Sequence, residues 1–153
     1  MRNEFNCEQF RVPSHDGEEI PLNIFYKKGI KFDRCNRVLM EGYSAYGLSL
    51  SQGFNITNLA AMERGWIIAQ AMGRGGGERG IKWHEAGKLE GKHNSFMDFN
   101  SCAEFLIANR LTHPNLLAAK GTSAGGLLVA AAALNMRPDL YRAAILDLSL
   151  IHI

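Results

Sequence analysis

Cysteine is scarce in this chain: three in 153 residues, at positions 7, 35 and 102, an odd number set far apart. That excludes a disulfide framework and a cysteine-based zinc site, fits reduced thiols, and sets the expectation of a cytoplasmic protein. Charge of one sign is also in short supply. Seventeen Lys and Arg against fifteen Asp and Glu leave a net charge of +2 with the two signs interspersed, so neither nucleic acid nor a membrane surface is an expected partner. The longest apolar run, Leu127 to Leu134, is far too short to cross a bilayer, and Met1 to Phe10 lacks the cationic-then-apolar order of a secretion signal. The chain as it stands is therefore expected to be neither secreted nor membrane-anchored. No repeat, linker or low-complexity stretch divides it. With 46% hydrophobic and 21% charged residues, it reads as one globular domain able to bury about two thirds of its unfolded surface.

What is present is a change of period along the chain. Gln9 to Pro13 and Glu19 to Tyr26 alternate apolar and polar residues around Ser14, His15, Asp16 and Gly17, the pattern of an antiparallel hairpin. Val38 to Met40, Trp66 to Met72, Leu116 to Ala119 and Ala143 to Leu148 are short and almost wholly apolar, as strands are when helices cover both faces of a parallel sheet. Between them, Ser95 and Asp98 resemble a capping box, after which Phe96, Phe99, Ala103, Leu106 and Ile107 recur at near-helical spacing. A second helix is predicted from Ala124 to about Met136, stopped before Pro138. A hairpin followed by strands alternating with helices is the pattern of an α/β sheet, whose functional loops lie at the carboxyl ends of its strands.

Ser123 lies at such an end, in the run Gly121, Thr122, Ser123, Ala124, Gly125. A serine on a sharp turn from strand to helix needs neighbours two residues away on each side that carry almost no side chain. Gly121 and Gly125 meet that demand. Such a turn would present the hydroxyl beyond the sheet and aim the N–H of Ala124 at a place where an oxyanion could develop. The alternative is a glycine-rich turn in which Ser123 merely caps a buried helix.

A second glycine-rich run, Arg74 to Gly80, matches the dinucleotide fingerprint at Gly75, Gly77 and Gly80. The segment that follows, with Gly80, Trp83, Gly87 and Gly91, lacks the helix with a sustained apolar face which that fingerprint requires. A long ordered loop is the better reading, with Arg74 and Glu78 available as an ion pair. His15, His84, His93 and His113 have no metal-ligand spacing. No metal is expected.

Taken together, these residues resemble the catalytic domain of the prolyl oligopeptidase family, in its oligopeptidase B-like and prolyl endopeptidase-like branches. The resemblance rests on Val12, Pro13, Ser14, Asp16 and Gly17; on Gly42 to Gly47; and on Arg64, Gly65, Trp66 leading to Arg74, Gly75, Gly76, Gly77, Glu78. It continues through Asn94, Phe96, Asp98, Phe99, then Gly121, Ser123, Ala124, Gly125, Gly126, and ends with Asn135 to Leu140. It implies an α/β-hydrolase fold, a serine peptidase acting on peptide substrates through an acyl-enzyme on Ser123, and no cofactor. By the same resemblance Ala124 supplies one oxyanion donor through its N–H, Tyr43 a second through its phenol, and Tyr46 lines the pocket for the residue before the scissile bond. Ser44 stands where the family usually has glycine, and Gly73 where it usually has a bulkier residue. The family places its triad aspartate and histidine beyond the strand that begins at Ala143, and a β-propeller upstream. Residues 1–153 are accordingly expected to form a partial α/β-hydrolase domain without propeller, inactive alone for want of a general base and able to associate through its truncated edge. Asp147 and His152 follow Ser123 in the order acid, histidine but stand too close together to serve as that pair. An esterase or lipase of the same fold, or a non-catalytic truncated paralogue acting as a binding partner, remains an alternative.

Overall fold

The structure, a computed structural model, describes residues 4–50 and 55–147. Strands β1 (Phe5–Pro13) and β2 (Glu19–Lys27) form the expected hairpin, in register from Phe5 opposite Lys27 to Pro13 opposite Glu19. Its turn is closed by Gly17 N–H donating to Ser14 O (3.0 Å) and Ser14 N–H donating to Glu18 O (2.8 Å). The hairpin does not stand apart. β2 pairs antiparallel with β4 (Ile67–Ala71), and β4 is followed in the sheet by three parallel neighbours: β3 (Val38–Gly42), β5 (Leu117–Thr122) and β6 (Ala143–Asp147). The six-stranded order is β1-β2-β4-β3-β5-β6.

Helices cover both faces. Two short ones, α1 (Ile56–Glu63) and α2 (Ile81–Glu85), precede the longest, α3 (Lys92–Ala108). Phe99, Cys102, Ala103 and Leu106 of α3 bury into the same core as Leu22, Ile24, Met40, Ala69 and Ala119 of the sheet. On the opposite face Glu41 and Gln70 are register partners, and Asn58 of α1 donates to Glu41 there (3.2 Å). The chain thus leaves β3 over one face, forms β4, and returns over the other face to β5. That reversal between β3 and β5 opens a crevice beyond their carboxyl ends, where doubly wound sheets place their ligands.

Several features differ from the sequence reading, α2 among them, which stands directly after the glycine-rich run where no helix is expected. Ser95 and Asp98 form no capping box: α3 begins at Lys92, and both side chains turn inward onto Arg74. α1 is an addition, capped by Asn55 Oδ1, which accepts from Thr57 N (2.9 Å) and Asn58 N (3.3 Å). The helix after Ser123 runs as expected to Met136, but only Ala124–Val129 (α4) is α-helical; Ala130–Met136 is wound more widely, as a π-helix. Among the described residues no helix is long and apolar enough to cross a membrane.

Candidate active site

Ser123 joins β5 to α4 with φ 54° and ψ −121°, backbone angles that a side-chain-bearing residue adopts only when its surroundings enforce them. The surroundings here are two glycines. A Cβ on Gly121 would lie 1.9 Å from Gly125 O, and one on Gly125 would lie 2.6 Å from Gly42 O. Both gaps are filled by backbone, so neither position has room for alanine. The turn is pinned further by Ser123 N–H, which donates to Asp147 O (2.8 Å), and by Ser123 O, which accepts from Gly126 N (2.8 Å). Asp147 therefore anchors the turn through its backbone carbonyl.

The helix-cap alternative for Ser123 does not hold, because its side chain caps no N–H of α4 and the residue is exposed. Ala124 is buried behind it and opens α4, so its N–H has no carbonyl one turn earlier to bond. The start of a helix also concentrates partial positive charge where an oxyanion would form.

Tyr43 follows β3, the neighbour of β5, and the structure brings it to the turn. The Cβ position of Gly125 is 3.4 Å from Tyr43 Cα and 3.5 Å from Tyr43 Cδ2. Tyr46 stands beyond it with ring centroids 6.4 Å apart, 70% exposed. Tyr43 thus lies against the turn that carries Ser123 and Ala124, and Tyr46 against Tyr43. Ser44 takes φ 52° and Tyr46 φ 57°, so serine at 44 stands in the left-handed conformation usual for glycine.

Arg74 to Gly80 is spent on bonds within the protein. Gly75 O accepts from Gly47 N (3.0 Å) and meets His84 Nδ1 (2.9 Å), while Gly77 N donates to Leu48 O (3.3 Å). The run is a template on which the Tyr43 loop lies. A Cβ on Gly77 would stand 2.1 Å from Gly47 O, which is why this run is rich in glycine.

Arg74 does not pair with Glu78. Its guanidinium grips Asp98 through Nε (2.9 Å) and Nη2 (2.6 Å) and reaches Asp16 through Nη1 and Nη2. Arg74 N–H also donates to Asp98 Oδ2 (2.9 Å), and Ser14 Oγ donates to Asp98 Oδ1 (2.6 Å). Glu78 instead accepts from Leu50 N (3.0 Å). Burial works to weaken Arg74's hold on its proton, but hydrogen bonds to Asp98 and Asp16 outweigh it and raise the pKa. The Arg74 hydrogen bond in turn holds Asp16 below the usual carboxylate range. This cluster ties the hairpin turn, α3 and the glycine-rich loop together beside the site. Ser14, Asp16, Arg74 and Asp98 belong to separate sequence motifs, and no spacing rule links positions 14, 16, 74 and 98.

Among the described residues no hydrogen bond reaches the Ser123 hydroxyl, and no group of three or more His, Cys, Asp or Glu could hold a metal. His152 lies outside the described residues.

The prolyl oligopeptidase family matches residues 52–151. A prolyl endopeptidase of Elizabethkingia meningoseptica is 44% identical over 90% of this chain and 19% of its own length. Oligopeptidase B of Trypanosoma brucei, solved with covalently bound antipain, superposes with a TM-score of 0.91 at 41% identity, over 95% of this chain and 21% of that one. A post-proline cleaving enzyme of Rickettsia typhi gives 0.95 at 34% identity, over 98% and 22%. The chain spans about a fifth of the length of the curated relatives it matches.

Proposed function

Because the chain belongs to the prolyl oligopeptidase family of serine peptidases, we propose that Ser123 is the nucleophile of a peptidase site whose oxyanion donors are Ala124 N–H and the Tyr43 hydroxyl. The family implies peptide substrates. Ser123 Oγ attacks the peptide carbonyl, a general base takes its proton, and the developing oxyanion settles against the two donors. Collapse of the tetrahedral adduct expels the amine and leaves an acyl-enzyme that water hydrolyses. The base comes from outside the described residues, and without one turnover falls on the order of a million-fold. Tyr46, wide open beside Tyr43, offers a ring face to the residue before the scissile bond.

The observation that carries this reading is the uncapped, exposed serine at φ 54° between two glycines whose Cβ positions are already occupied. A chimera tests it: residues 5–147 of this chain replace their counterparts in the Elizabethkingia meningoseptica relative, and the folded product is treated with a fluorophosphonate. Labelling at Ser123 that disappears in Ser123→Ala is expected. A folded chimera that takes up no label would overturn the reading.

A further inference from the structure

The loop after β3 is strained at Ser44 (φ 52°) and Tyr46 (φ 57°), and strain of that kind persists only where surrounding contacts hold it. The far side of the loop is held by backbone bonds to the glycine-rich run, Gly47 N to Gly75 O and Gly77 N to Leu48 O. On the near side, next to Tyr43, the described residues offer the loop backbone one side-chain hydrogen bond. Lys92 Nζ donates to Ser44 O, lies 3.3 Å from Ser95 Oγ, and stands 6.0 Å from the centre of the Phe96 ring. Among the described residues no carboxylate pairs with it.

Helix stability does not account for this lysine. It is the first residue of α3, the end where the helix dipole disfavours a cation, and burial lowers its pKa. Both effects act against a charged amine at this place, so the compensating contact is the carbonyl it binds. Ser95, its other contact, spends its hydroxyl on Arg74 O (2.5 Å), which fixes the floor beneath the amine.

We propose that Lys92 is a positioning residue: its ammonium clamps the Ser44 carbonyl and thereby sets the direction in which Tyr43, one residue earlier, presents its hydroxyl to the Ser123 turn. The proposal rests on the reading of Tyr43 as an oxyanion donor. It assigns a task to the start of α3 that no contact with substrate would reveal, since Lys92 acts only through the backbone of the loop.

The test uses the full chain with 3-fluorotyrosine at position 43, read by fluorine NMR, together with hydrogen exchange at the Gly47 amide. In Lys92→Met the fluorine line is expected to split or broaden and Gly47 to exchange about tenfold faster, with β5 amides such as that of Ala119 unchanged. Lys92→Arg should keep one line and the original protection. Lys88→Met, at an exposed lysine paired with Glu85, should change neither. Unaltered Tyr43 and Gly47 signals in Lys92→Met overturn the proposal. So does an equal loss of protection across β5, which would make Lys92 a general stabiliser, and so does Lys92→Arg behaving like Lys92→Met. Neither readout depends on turnover: if Tyr43→Phe leaves the chimera fully active, the donor reading fails while the clamp can still be seen.

Discussion

In the proposed site Tyr43 supplies one oxyanion donor, and Tyr43→Phe removes that hydroxyl while keeping the ring that packs at the Gly125 side of the turn. In the chimera this substitution is expected to lower kcat about 100-fold, about 3 kcal/mol of transition-state stabilisation, with KM almost unchanged; steady-state peptide hydrolysis checks it. Gly125→Ala pushes a methyl against Gly42 O and should cost about 2 kcal/mol in urea unfolding while suppressing labelling of Ser123. At this scale the sequence was uneven as a guide. Ser123 was legible because the steric demand of its turn is written as glycine at 121 and 125. Tyr43 was not legible from its neighbours, which mark only a tight loop, and it entered through the family resemblance. The partner of Arg74 was misread because Glu78 is near in the chain, whereas the guanidinium fork fits Asp98, twenty-four positions on and fully buried.

Between elements, the Arg74 cluster acts as a rivet. Its two inner members are 4% and 0% exposed at the side chain, so Asp98→Ala would leave the buried Arg74 with Asp16 as its remaining carboxylate and is expected to cost about 4 kcal/mol, measured by chemical denaturation. Asp16 makes a milder, pH-dependent link. Its folded-state pKa is lowered, chiefly by the Arg74 hydrogen bond, so its contribution is complete above the usual carboxylate range and is lost as pH falls through that range to the lower folded value. The urea midpoint of Asp16→Asn should therefore fall less steeply with acidification than that of the unsubstituted chain. β4 was readable because its apolar run matches its burial, every residue being buried, whereas β6, an equally apolar run, is exposed at alternate positions and not covered on both faces. α1 went unread because none of its residues is fully buried, which leaves little amphipathic pattern to find. Ser95 and Asp98 misled because a cap and an inward-facing tether use the same side chains.

The whole molecule has one deep thiol and two shallow ones. Cys7 and Cys35 are exposed, whereas Cys102 is buried between α3 and the sheet, and burial pushes its pKa well up. Two thiols per chain are expected to react quickly with an aromatic disulfide reagent, and the third only at the rate of unfolding; mass spectrometry of the modified peptides assigns them. The doubly wound order was foreseeable from the alternation of apolar runs and helical stretches, but not the place of β3 between β4 and β5, since each run is equally apolar and strand order follows from crossovers that leave no local trace.

The bond from Ser123 N–H to Asp147 O bears on how such a molecule is made. A ribosome delivers the serine before it delivers β6, so while residues 143–147 are still inside the exit tunnel the bend around the hydroxyl lacks one of its tethers. Until that neighbouring strand docks, the serine backbone is held by its glycine neighbours and the Gly126 bond without the tether from Asp147.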